Sequence, residues 1–287
     1  MNGRYEIKKM KEKDIFDGDI FKEFAPPSKI TFELNGKKTK LPQNQDVFFM
    51  AKWHELFERY QTARLFLRKT LQNEYKGWLN PVSDDEISKK YCVLYIRSIL
   101  YESALMNYNI LVDLSWTWTY VSAEYALYKF DKDGNVVNAK DVAAFHPIDE
   151  AYKLLRETEN GVTTPHAEGN PFDYLKKMRP EYTNAINRIK NFWRKFAESD
   201  IRSLYNYTKH KGVLHYSEID SLNDVKLFEF HFGKEIVPSD ISDVQKQVSI
   251  ERCIQSLIDF DNKELFPYLR GLLGDLKYAV NPSPMLM

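Results

Sequence analysis

Arg202, Asn206 and His210 follow one another at four-residue spacing in the stretch that closes with "YNYTKHKG". On a helix that spacing keeps side chains near one another along one flank. A histidine exchanges protons near neutral pH, an arginine fork grips an oxyanion, and an amide between them orients what they hold. These three are the candidate catalytic residues. A simpler reading makes Lys209, His210 and Lys211 cations over a helix C-terminus, with Gly212 as a left-handed cap. It accounts for every residue of "KHKG" and leaves Asn206 without a role.

The same helical pattern carries a second candidate. With Arg202 at zero degrees, Arg188, Asn191, Lys195, Asn206 and Lys209 fall within ~40° of it. Ile186, Ile189, Trp193, Phe196, Leu204 and Tyr207 lie opposite, on the core side. Residues 173–211 hold ten Lys or Arg against four Asp or Glu, in a chain with 41 of each sign overall. Arg188, Asn191, Lys195 and Lys209 are therefore candidate binding residues for RNA or an acidic protein, by contact with a phosphate or carboxylate backbone. The stripe lacks interleaved exposed aromatics, so base stacking is not part of that expectation.

A third polar line runs through a long pattern beginning at Ser83: Tyr91, Ser98, Glu102, Asn109, Asp113, Thr117 and Glu124 share about one quadrant. Either it faces a groove or it is a solvated face. Glu102 and Asp113 lie ~16 Å apart along a helix and cannot share a metal ion. His54, His146, His166, His215 and His231 show no metal-ligand spacing, and no phosphate-binding glycine loop or nucleophile elbow occurs. The expectation is no metal and no cofactor.

The elements that must position these residues are mostly helices. Asp46–Gly77 repeats Phe49, Trp53, Leu56, Phe57, Tyr60, Ala63, Leu67 and Leu71 at helical spacing. A run of over forty residues follows from the Ser83/Glu86 capping-box spacing to Phe130, with a break expected near Ser115–Thr119. Pro180 suits the first turn of a helix running to His210, and two more helices span Ser239–Phe260 and about Lys263–Tyr278. Asn35-Gly36 marks a hairpin within Lys29–Pro42, and Val225–Phe232 alternates like a strand that shares its sheet. The expected fold is mainly α: one domain over residues 1–287, a bundle of at least four long helices with a small antiparallel sheet and an insertion at 131–170. Two cysteines, no apolar leader and no long apolar run point to a soluble cytoplasmic protein that contacts no membrane.

Asn206-x-x-x-His210 near the end of a bundle helix, with Arg202 before it, resembles the HEPN superfamily of helical bundles. The resemblance implies a metal-independent ribonuclease or toxin-like enzyme in which the arginine and histidine act on the scissile phosphate, with two sites meeting across a homodimer. Against it stands a non-catalytic binding protein working through the basic helix face. The second is preferred, because each motif has a complete structural explanation.

Overall fold

A computed structural model describes residues 23–27, 44–75, 77–123, 128–130, 136–139, 176, 179–222 and 245–280. The chain is mainly α: α1 (Asn44–Lys69), α2 (Glu86–Ser122), α3 (Thr183–Ala197) after a 3₁₀ turn at Pro180–Tyr182, α4 (Asp200–His210), the single turn α5 (Ser217–Asp220), α6 (Ile250–Phe260) and α7 (Phe266–Val280). A π-helical turn, Asp261–Leu265, joins α6 to α7. Strands β1 (Tyr128–Phe130) and β2 (Val136–Ala139) pair antiparallel, whereas β3 (His215–Tyr216) and β4 (Gln247–Val248) pair in parallel. The expected hairpin at Lys29–Pro42, the strand Val225–Phe232 and most of the 131–170 insertion lie outside the described residues. No helix among the described residues is long and apolar enough to cross a membrane.

The described residues form two compact units. The first draws on Gln61–Asn109 and Phe196–Glu264, the second on Asp19–Tyr60, Ile110–Lys195 and Leu265–Met287. In the first, Leu67, Leu105, Phe196, Ile250 and Leu257 are fully or almost fully buried, and Cys92 and Cys253 are buried free thiols. In the second, Trp118 stacks on Phe49 and on Trp53, which are tilted to each other, with Phe24 edge-on to Trp118.

The helices depart from the sequence expectation at five places. First, α1 stops at Lys69 instead of continuing to Gly77. The Tyr75 hydroxyl donates to the Lys69 carbonyl (2.7 Å), and buried Arg97 donates to the carbonyls of Thr70 (2.8 Å) and Gln72 (3.0 Å). Side chains thus satisfy the terminal carbonyls that another turn would have used. Second, the α2 cap is Asp85, whose carboxylate accepts from the Ser88 N–H at 2.7 Å, not Ser83. That hydrogen bond, with a second from the Ser88 hydroxyl, holds Asp85 below its ordinary pKa.

Third, α2 is unbroken across Ser115–Thr119, where the Ser115 and Thr119 hydroxyls donate back to Val112 and Ser115 carbonyls (2.6 and 3.1 Å). It ends at Ser122, short of Phe130. There the Tyr182 hydroxyl and the Arg179 guanidinium donate to the carbonyls of Ser122 (2.7 Å) and Ala123 (2.8 Å). Fourth, the helix expected from Pro180 to His210 is two helices. The Ser199 hydroxyl oxygen caps α4 through the Arg202 N–H (3.3 Å), and a helical phase carried from Arg188 through to Lys209 is reset there. At the C-terminal end, residues 245–249 are not helical, and Ser249 caps α6.

Candidate functional site

Ile201 and Leu204 anchor α4 in the first unit. Arg202 is half-buried with them: its Nη1 donates to Asn109 Oδ1 on α2 (3.2 Å), and its guanidinium lies 5.8 Å from the Phe196 ring centre and 5.2 Å from that of Tyr205. Asn206 and His210 are exposed. Arg202 and His210 are eight residues apart, about 12 Å along the axis. Arg202 reaches α2 while the other two face solvent, so the three candidate catalytic side chains are not gathered around one reacting atom.

The end of α4 is built differently from a left-handed cap. Gly212 has φ 158°, far from the ~+57° of that conformation. The N–H groups of Lys211 and Gly212 instead both reach the Tyr207 carbonyl (2.8 and 3.2 Å). The Tyr207 hydroxyl accepts from the Lys246 N–H (3.1 Å), and the Lys246 carbonyl accepts from the His215 N–H (3.0 Å). Tyr207 thereby brings Lys246 to the turn that carries Lys209, His210 and Lys211. All four are exposed, and Lys209 sits 5.8 Å from the Tyr205 ring centre. Among the described residues no carboxylate forms an ion pair with any of the three lysines. The sequence pattern missed Lys246 because it lies 35 residues beyond Lys211 and is delivered by backbone pairing.

Of the remaining stripe residues, all in the second unit, Asn191 and Lys195 are exposed. Arg188 is used internally: its Nε lies 2.5 Å from Asp275 Oδ2, and its guanidinium runs over Gly271. A Cβ added at Gly271 would meet the Arg188 guanidinium, so a side chain at position 271 would push that flexible group aside.

The α2 polar line is not a solvated face. Ser98 and Asn109 are buried, and Glu102 Oε1 accepts from the Tyr216 hydroxyl at 3.0 Å. Burial lifts the Glu102 pKa above the usual carboxylate range, with the Tyr216 hydrogen bond partly offsetting it. Burial likewise pushes the Cys253 thiol, next to Tyr101, up to about 11, so it is not a thiolate nucleophile at neutral pH. A group whose pKa is raised by folding favours the fold when protonated, and loses that contribution as pH rises through its folded value. Glu102→Gln, which keeps the acceptor for Tyr216, is therefore expected to be more stable than wild type at neutral pH. The advantage should shrink on acidification, as urea unfolding of both proteins across pH will show. A difference that stays constant with pH rules the assignment out.

A cleft of about 590 Å³ in the same unit is lined by Lys90, Val93 and Leu94 of α2, by Ser217, Glu218 and Ser221, and by residues 247–249, Glu251 and Arg252. Its Glu218 carboxylate accepts from the Ser249 hydroxyl (2.5 Å) and the Ile250 N–H (3.0 Å), placing an internal anion on the N-terminus of α6. Burial raises the Glu218 pKa, but these hydrogen bonds outweigh it and the net shift is downward. The helix end is satisfied by its own chain. No group of three or more His, Cys, Asp or Glu suited to a metal occurs among the described residues.

No family model, no curated protein and no solved structure matches this chain.

Proposed function

We propose that the protein is a non-catalytic helical binding protein that holds RNA by its phosphate backbone, through the basic corner at the end of α4. The observation that carries this reading is the placement of charge. Arg202 is engaged with Asn109 and two aromatic rings, whereas Lys209, Lys211 and Lys246 are exposed, carried on two segments that Tyr207 ties together, and not paired with a carboxylate among the described residues. Cations of that kind release counterions when phosphate replaces solvent. Tyr205 and Tyr207 are half-buried, which favours backbone contact over base stacking. The ribonuclease reading has less support, since Arg202 is turned to α2 and seven residues separate it from His210.

Fluorescence anisotropy with a labelled single-stranded RNA tests the proposal. For three phosphate contacts the slope of log K against log salt should be about −2, at ~0.7 per contact on single strands. Lys209→Gln, Lys211→Gln and Lys246→Gln together should flatten it. Absence of binding at low salt, or binding to an acidic polypeptide but not to RNA, overturns the RNA assignment. Metal-independent cleavage of the RNA that vanishes in His210→Ala overturns the non-catalytic one.

A further inference from the structure

The basic corner and the cleft of the first unit share one short segment. Tyr207 fixes Lys246 through the Lys246 N–H, and the Lys246 carbonyl accepts from the His215 N–H. The next two residues, Gln247 and Val248, form β4 against His215 and Tyr216, and with Ser249 they wall the cleft of about 590 Å³. At ~3.3 Å per residue, Lys246 to Ser249 is about 10 Å. A single strand with a phosphate on Lys246 therefore has a neighbouring base within reach of the cleft.

The cleft has the size of a small-molecule site, roughly 300–1,000 Å³. Val93, Leu94 and Val248 give it an apolar wall. Arg252 is exposed at its edge and forms no ion pair among the described residues, which leaves a planar guanidinium for the face of a base. Several of the polar groups are already used by the chain itself. The Glu218 carboxylate accepts from the Ser249 hydroxyl and the Ile250 N–H, and the Ser217 and Ser221 hydroxyls both donate to Glu218. Gln247 and Glu251 are exposed, and their side chains are not spent in this way. The amide both donates and accepts, whereas the carboxylate only accepts. That combination suits a base edge with an exocyclic amino group beside an unprotonated ring nitrogen. Adenine and cytosine present such an edge; uracil, with an N–H between two carbonyls, does not.

We propose that the cleft reads one unstacked base of single-stranded RNA, adenine or cytosine in preference to uracil. The inference rests on the RNA reading of the basic corner and adds a contact that depends on sequence. Phosphates on Lys209, Lys211 and Lys246 set the position of the strand and carry no sequence information. Arg252 and the aliphatic wall take the face of the base, and Gln247 with Glu251 takes its edge. A base in a duplex is stacked and paired, so only a single strand can offer it.

Anisotropy of the full chain with labelled oligo(A), oligo(C) and oligo(U) RNA of one length tests it. At matched salt, oligo(A) or oligo(C) is expected to bind tighter than oligo(U) by roughly fivefold or more, the discrimination of one good bidentate contact. Gln247→Ala with Glu251→Ala should bring the three RNAs to one affinity. The salt slope should stay unchanged, because the phosphate contacts remain, and so should the helical circular dichroism spectrum, because both positions are exposed. Absence of binding to any of the three RNAs at low salt overturns the phosphate reading and this one with it. Equal affinities in wild type, or a preference for oligo(U), overturn the base reading alone. So does a preference that survives the double variant. Adenosine monophosphate that competes as well as oligo(A) would put a free nucleotide in the cleft and overturns the assignment to RNA.

Discussion

Asp261→Ala is expected to lower stability by about 3–5 kcal/mol, the range for breaking one side of a buried ion pair. Arg64 Nε lies 2.8 Å from Asp261 Oδ2, and both side chains are 0 % exposed. Removing the carboxylate takes an ion-pair partner from a guanidinium that stays in the interior of the first unit. The same change at an exposed pair such as Lys52–Glu55, where the glutamate side chain is 52 % exposed, should cost ~0–1 kcal/mol. Position matters a second time, because Asp261 is the first residue of the π-helical turn between α6 and α7. Replacing both partners by apolar residues, Arg64→Met with Asp261→Leu, should recover most of the loss, since neither charge of the pair then remains in the interior. Urea unfolding checks this: the midpoint should fall sharply in Asp261→Ala and return in the double variant, at a similar denaturant slope. A loss under ~1 kcal/mol for Asp261→Ala would mean that water reaches the site and the pair is not buried in solution.

This pair also marks where sequence reasoning stops. Phe49, Trp53, Leu56, Tyr60, Ala63 and Leu67 were legible as one buried face, because helical periodicity is a property of neighbours along the chain. Arg64 lies within that face, between Ala63 and Leu67. A charged residue on a long helix reads as a surface residue unless its partner is known, and Asp261 is nearly two hundred residues away. The α2 polar line failed for the same reason. Its members were correctly placed on one flank, but periodicity does not say what covers a flank, and the partners of Asn109 and Glu102 lie 93 and 114 residues along the chain. The α3/α4 break has a local signal in the sequence: Ser199-Asp200 before the apolar Ile201 is an N-cap pattern without glycine or proline. For the candidate site, the chemistry of Lys209, His210 and Lys211 was readable. The engagement of Arg202 with α2 and the arrival of Lys246 were not, because both depend on contacts distant in sequence.

The second unit should be most sensitive at Trp118, where truncation to alanine is expected to cost about 3–5 kcal/mol. Trp118 is 0 % exposed, stacked on Phe49 (5.4 Å, 23°) and Trp53 (6.3 Å, 25°), with Phe24 edge-on at 6.4 Å. Its Nε1 donates to the Phe49 carbonyl at 3.0 Å. Alanine removes the transfer energy of the indole and leaves a cavity whose walls are large rings held on separate segments, so collapse fills it only partly. Trp118→Phe separates the contributions. It keeps an aromatic ring but loses the hydrogen bond, worth ~1 kcal/mol, and part of the contact area, so its cost should fall well below that of alanine. Phe49→Ala and Trp118→Ala should be non-additive by roughly 0.5–3 kcal/mol, because the two rings share one contact. Urea midpoints give the three losses. Near-ultraviolet circular dichroism adds a readout specific to the cluster, since Trp53 and Trp118 stack on each other and the signal should collapse in Trp118→Ala before any unfolding. An alanine variant that keeps both the midpoint and that signal would show that the stacked rings do not hold the second unit together.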